Sequence, residues 1–212
     1  MTRKLLIPAL ATLVLAVLGT GCGRSNQASV EIGALCYPTD DCTFSSTCDK
    51  VLMTGTLWVD LTATPVLVFP IQINNQRPNN ADIASGRVNT NNAVIDRFEM
   101  TYQVSGSTIA AATSAQTILV PADGSTVAGV TLIPVGAASA TLAGLPAGTV
   151  VSVQLKVHGS YQDASEFETG EHPIPVTLQN GFFTGYACTD TTQTVTSICP
   201  PNAGQTATIV CE

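Results

Sequence analysis

The chain has 212 residues, of which 8 are lysine or arginine and 15 are aspartate or glutamate, and its formal net charge is −7. So few basic residues argue against a nucleic-acid-binding protein, because affinity for nucleic acid comes mainly from cationic contacts to phosphate. Only 11% of the residues are charged, and the many Val, Thr and Ile residues favour strands over helices.

The N-terminal residues 1–21 have the order of a secretory signal peptide. Two basic residues precede an apolar stretch at residues 5–18, and the small residues Gly19 and Gly21 lead into Cys22. This order of charge, apolar stretch and small residues directs export, and the apolar stretch is too short to span a bilayer comfortably. A cysteine at this point predicts a lipoprotein signal peptide and acylation of Cys22. The two glycines also fit a general signal peptidase, which would release a soluble protein.

Cleavage before Cys22 leaves 191 residues (22–212) with a net charge of 6 − 15 = −9. This length suits a single domain with a sizeable core. Residues 22–35 are small and polar and predict a tether from the membrane. We expect residues 36–212 to form one domain with Cys-rich segments at both ends. Because the mature chain is acidic, the acyl chains would have to hold it on the membrane.

Six further cysteines form two groups of three, which predicts disulfides in an exported protein. They are Cys36, Cys42, Cys48, Cys188, Cys199 and Cys211. Six cysteines allow 15 pairings, and full pairing requires at least one bridge between the two groups because each group is odd. The spacing of Cys36, Cys42 and Cys48 does not match CxxC ligand pairs and neither histidine lies near them, so we predict no metal site there.

Segments rich in β-branched and aromatic residues recur along the domain with turn residues between them, and these segments predict strands. The predicted strands are residues 51–61, 65–73, 94–104, 117–120, 127–135, 138–142 (the weakest), 150–158, 174–178 and 182–186. Strict alternation at residues 94–104 would place Val94, Asp96 and Phe98 on one face. The single tryptophan, Trp58, is expected in the core.

The regular strand spacing predicts an all-β protein. An immunoglobulin-like or fibronectin-like β-sandwich with about seven or more strands fits best, and a small closed β-barrel is the alternative. No convincing amphipathic helix is found outside the signal peptide.

A long loop at residues 74–92 is dense in asparagine and is the most promising candidate for ligand binding, since long loops on rigid sandwiches often carry binding residues. Its amide side chains both donate and accept hydrogen bonds, which suits sugars or peptide backbones. The candidate residues are Asn74, Asn75, Asn79, Asn80, Asn89, Asn91 and Asn92. A solvated connector without a binding role is the simpler interpretation.

Sequence motifs for catalysis are missing. The chain contains no HExxH, GxSxG or Gly-rich phosphate-binding loop, and His158 and His172 lie in none of these arrangements. The acidic stretch at residues 163–171 lacks the order of a calcium loop and predicts a solvated loop. We therefore predict no catalytic residues, no metal and no cofactor.

Several segments together resemble a family of myxobacterial-type outer-membrane lipoproteins. They are the anchor Cys22, CYPTDDC at 36–42, VNTNNAVIDRFEMTY at 88–102, ETGEHPIPVTLQNG at 168–181 and CPPNAGQTATIVC at 199–211. The resemblance implies a lipid-anchored extracytoplasmic β domain with disulfides and no known activity, and it transfers no site residues.

The expected function is therefore a non-catalytic binding or assembly module, held on the outer membrane by its lipid anchor. An envelope protein or a glycan is the expected partner. A carbohydrate-binding accessory domain, or a freely secreted binding protein, is the alternative.

Overall fold

The computed structural model describes residues 29–37, 45–52, 57–62, 65–180, 190, 192–193, 195–199 and 208–211. Within these residues the chain forms twelve strands and one helix. They are β1 (Val30–Leu35), β2 (Leu57–Asp60), β3 (Leu67–Asn75), β4 (Ala93–Val104), β5 (Ser107–Thr108), β6 (Ala112–Val120), β7 (Gly124–Ile133), α1 (Ala137–Ala143), β8 (Val150–Tyr161), β9 (Glu166–Glu168), β10 (His172–Gln179), β11 (Val195–Cys199) and β12 (Thr208–Cys211). Among the described residues, no helix is long and apolar enough to cross a membrane.

Two sheets form the main body. The smaller sheet has the order β1-β3-β7, and the larger has the order β2-β10-β8-β4, with β5 and β6 beyond β4 and β9 beside β8. All of these pairings are antiparallel except that of β2 with β10. The predicted all-β sandwich is confirmed, and the sheets do not close into a barrel. Strands β11 and β12 pair with each other in a separate hairpin.

The core is one continuous cluster of aliphatic and aromatic side chains from both sheets. The strands contribute alternate residues to this core. Along β8, each second residue from Val151 to Tyr161 is buried, as expected for a strand with one face inside. The phenol of Tyr102 on β4 donates a hydrogen bond to the carbonyl oxygen of Leu132 on β7 over 3.0 Å. This bond joins the two sheets inside the core.

A β-bulge interrupts the alternation of β4. The register against β8 shifts at this point: Ile95 pairs with Gly159 and Arg97 with His158, so Asp96 is an extra residue on β4. Before the bulge Ile95 is buried, and after it Phe98 is buried. The expectation that Val94, Asp96 and Phe98 lie on one face is therefore wrong, because a bulged residue reverses the faces of everything that follows it.

The helix α1 replaces the weakest predicted strand, at residues 138–142. It is rich in alanine, the best helix former, and it begins after Gly136, whose φ of 146° suits glycine. The hydroxyl of Ser139 bonds to both the N–H and the carbonyl oxygen of Gly136. Leu142 on its inner face is fully buried. The short helix is thus fixed by capping and by packing.

Three further expectations need correction. The predicted tether at residues 22–35 is wrong for its last part, because Val30–Leu35 forms β1 and Val30 is buried. The acidic segment 163–171 is not a continuous solvated loop, since Glu166–Glu168 pairs with β8 as β9. Trp58 is half-buried outside the core cluster, because its neighbours on β2 take the inner positions. The predicted strand at 182–186 lies outside the described residues.

Candidate functional site

The Asn-rich loop lies at one end of the sandwich, where it meets two shorter connections. It runs from the end of β3 to the start of β4 and covers residues 76–92. The N–H of Asp123, in the turn between β6 and β7, donates to the carbonyl oxygen of Arg77, and the N–H of Gln162 donates to that of Asn92. Residues 76–92, 121–123 and 162–165 thus form one surface, called here the loop end.

Asn75 fixes the base of this loop from a buried position, with 2% of its surface exposed. Its side-chain NH₂ donates to the carbonyl oxygens of Asn91 at 2.9 Å and Val120 at 3.3 Å. Its side-chain oxygen accepts the N–H of Arg77 at 3.1 Å. One amide therefore joins the first part of the loop, its last part and the end of β6.

Asparagine side chains also hold the two sides of the loop together. Asn80 accepts the N–H of Thr90 at 2.8 Å and donates to the hydroxyl of the same residue at 2.9 Å. Asn91 donates from its side chain to the carbonyl oxygen of Pro78 at 2.8 Å. Asn92 accepts the side-chain NH₂ of Asn89 at 2.8 Å. The loop is therefore braced from base to middle.

The tip of the loop is a compact turn that exposes two aliphatic side chains. Asp82 and Arg87 exchange backbone hydrogen bonds of 2.9 Å in both directions. The Asp82 carboxylate accepts the N–H of Ala84 and the hydroxyl of Ser85, and these bonds lower its pKa, the Ser85 bond most. Ile83 directly follows Asp82 and Val88 directly follows Arg87, and these two side chains are 98% and 75% exposed.

Arg77 provides the main charged contact of the loop end. Its guanidinium lies 3.4 Å from the ring centre of Tyr161, a cation–π contact, and its Nη1 lies 3.2 Å from Oδ2 of Asp163. The pKa of Asp163 is lowered, first by the hydroxyl and N–H of Ser165 and then by Arg77. These contacts fix the β8–β9 turn against the first residues of the loop.

The seven asparagines predicted to bind a ligand thus all have hydrogen bonds inside the protein. The two not described above are Asn74, whose NH₂ lies 3.4 Å from a carboxylate oxygen of Glu31, and Asn79, whose side-chain oxygen accepts the N–H of Ala81. Much of the hydrogen-bonding capacity of these side chains is therefore used within the protein. A binding role for the remaining capacity stays a prediction.

A second polar cluster lies away from the loop end, on the larger sheet. His158 on β8 has its Nε2 3.1 Å from a carboxylate oxygen of Glu99 on β4, and Glu168 on β9 lies 3.0 Å from Nζ of Lys156. This last hydrogen bond raises the pKa of Lys156 and lowers that of Glu168. The described residues include no group of three or more His, Cys, Asp or Glu side chains placed to hold a metal ion.

Cys36 and Cys48 form a disulfide, which confirms two of the six predicted bridge cysteines. Cys42 and Cys188 lie outside the described residues, as does Cys22. Cys199 ends β11 and Cys211 ends β12, and their pairing stays a prediction.

No protein-family model matches the sequence, and no curated protein shows significant similarity to it.

Proposed function

We propose that this chain is a lipid-anchored envelope protein whose β-sandwich acts as a non-catalytic binding or assembly module at the outer membrane. The observation that carries the proposal is the Cys36–Cys48 disulfide, read together with the predicted N-terminal export signal. Disulfides persist in oxidising compartments and are rare in the cytosol. With Cys22 acylated, the even number of remaining cysteines can pair completely.

A rigid, braced loop on a sandwich supports a binding or assembly role. The loop end is held by side-chain hydrogen bonds at its base and middle, so little conformational entropy would be lost when a partner binds. The exposed large apolar side chains of the described residues are all aliphatic. This composition favours contact with a protein or a lipid over the aromatic stacking expected of a carbohydrate-binding face.

The intact mass of the mature protein, extracted from its native membrane, tests the anchor. We expect the mass of residues 22–212 plus acyl chains, with six cysteines that alkylate only after reduction. The matched control is Cys22→Ser, which should leave the membrane fraction. An unacylated wild-type mass would contradict the anchor.

Cross-linking in intact cells tests the binding or assembly role. We expect a discrete cross-linked species that contains the wild-type protein and disappears with Cys22→Ser, because the variant is no longer held beside its partner. If the wild-type protein, expressed at its native level, gives no cross-linked species, the binding or assembly role is contradicted.

A further inference from the structure

We infer that the loop end faces the lipid bilayer and that Ile83 and Val88 at its tip contact the acyl-chain interface. The inference rests on the proposed acylation of Cys22. It assigns to the loop tip a partner of defined chemistry, namely the phospholipid surface that holds the anchor.

The first described residues of the domain lie beside the Asn-rich loop. Strand β1 starts at the loop end, because Val30 pairs with Asn75. The N–H of Gln76 donates to the carbonyl oxygen of Ser29 over 2.7 Å. The residue that continues toward the anchor therefore touches the first residue of the Asn-rich loop.

The chain between Cys22 and Ser29 is too short to span the length of the sandwich. Ser29 lies seven residues after Cys22, and seven residues span at most about 25 Å when fully extended. Strand β3, with nine residues, runs about 30 Å from the loop end to the opposite end, at a rise of about 3.3 Å per residue. The opposite end, which carries α1, cannot be brought down to the membrane, because Ser29 would then stand farther away than the chain can reach.

The charges on the larger sheet exclude the side-on orientation in which this sheet lies on the membrane. The outer face of that sheet presents the carboxylates of Glu99 and Glu168 beside Lys156 and His158. Moving these charged groups into a lipid interface would remove their hydration. The acyl chains offer no hydrogen-bonding or ionic partner in its place, so this orientation is unfavourable. At the tip of the loop, the Asp82 carboxylate keeps the N–H of Ala84 and the hydroxyl of Ser85 as partners.

The tip of the Asn-rich loop carries two protruding aliphatic side chains. Ile83 and Val88 project from a turn that backbone bonds between Asp82 and Arg87 hold in shape. Residues 76–92 carry Arg77, Asp82 and Arg87, so the loop has a net charge of +1 in an acidic chain. Asp123 and Asp163 in the neighbouring turns bring the loop end to −1. This nearly neutral surface with two protruding aliphatic side chains suits a lipid interface, where burial of apolar surface is favourable.

The experiment places a fluorescent tryptophan at each end of the sandwich. Ile83→Trp reports on the loop tip. Val135→Trp is the matched control, since Val135 is 70% exposed and follows β7 at the opposite end. The full acylated proteins are reconstituted into phosphatidylethanolamine–phosphatidylglycerol vesicles with or without brominated acyl chains. The wild-type protein gives the background from Trp58, and urea unfolding checks that both variants fold.

We expect the Ile83→Trp variant to lose fluorescence in the brominated vesicles and the Val135→Trp variant to keep it. Equal quenching of the two variants, or no quenching of Ile83→Trp in protein that floats with the vesicles, would overturn the inference while leaving the anchor intact; the tip would then be free for a protein partner. Protein that carries no acyl mass and fails to float would overturn the anchor and the inference together.

Discussion

Replacing Asn75 by alanine should loosen the whole loop end, because its amide makes three hydrogen bonds from a buried position. It donates to Asn91 and Val120 and accepts from Arg77. The variant removes all three bonds and leaves two carbonyl oxygens and one N–H to find other partners. The perturbation is confined to one side chain at the end of β3.

The magnitude follows from the number of bonds. A hydrogen bond contributes about 0.5–1.5 kcal/mol net, so three bonds give a loss of about 3 kcal/mol in the free energy of unfolding. For a chain of this size 1 kcal/mol shifts the Tm by roughly 2–4 °C. The melting temperature should therefore fall by roughly 6–12 °C.

Urea unfolding of the chain with Cys22→Ser, without reductant, measures this loss. Asn79→Ala is the matched control, since Asn79 is exposed and makes one local bond to the N–H of Ala81, and it should cost less than about 1 kcal/mol. Asn75→Asp keeps the acceptor for Arg77 but places a negative charge against two carbonyl oxygens, so it should also destabilise. If Asn75→Ala costs no more than Asn79→Ala, the reasoning that this amide holds the loop is refuted.

Three further experiments test the core, the bulge and the disulfides. Burial raises the pKa of Tyr102 from 10.0 to about 12, so the unfolded chain loses this proton first and stability should be full below pH 10 and fall between pH 10 and 12. Tyr102→Phe should cost about 1 kcal/mol at pH 7 and lack this part of the decline; identical pH profiles in urea unfolding would contradict the assignment. Gly159→Ala would place a Cβ 2.3 Å from the carbonyl oxygen of Val94 at the bulge and should destabilise by about 1–3 kcal/mol. Gly170→Ala, where a Cβ meets nothing within 4 Å, should change stability by less than about 0.5 kcal/mol, and an equal effect of the two substitutions would argue against a steric role for Gly159. Finally, peptide mapping without reductant should find Cys42 linked to one of Cys188, Cys199 and Cys211, because Cys36 and Cys48 pair with each other; a free Cys42 thiol would contradict complete pairing.

Much of the sandwich could be predicted from the sequence because alternation records which face of a strand is buried. The pattern of β8 is an example: its inner residues from Val151 to Tyr161 are all buried, as a period of two requires. The loop at residues 74–92 could also be predicted, since asparagine, proline and glycine favour turns. Residues 74 and 75 are the exception and still belong to β3.

The sequence of β4 could not reveal its bulge. The extra residue near Asp96 is a property of pairing with β8, where Gly159 allows the backbone of Val94 to approach closely. Period-two alternation alone therefore grouped Val94 and Asp96 with Phe98, although the bulge places Val94 and Phe98 on opposite faces. The same limit applies to α1, because a seven-residue helix is stable only through its cap and the burial of Leu142.

The sequence by itself determined the predicted export signal, the strand-rich composition and the position of the Asn-rich loop. These are local properties, set by the order of charge, apolar residues and turn residues. Only the tertiary structure decided what the asparagines do, because the partners of Asn75 lie 16 and 45 residues away along the chain. It also decided that Ser29 lies beside Gln76. That contact depends on the antiparallel pairing of β1 with β3, a long-range choice that no local pattern records.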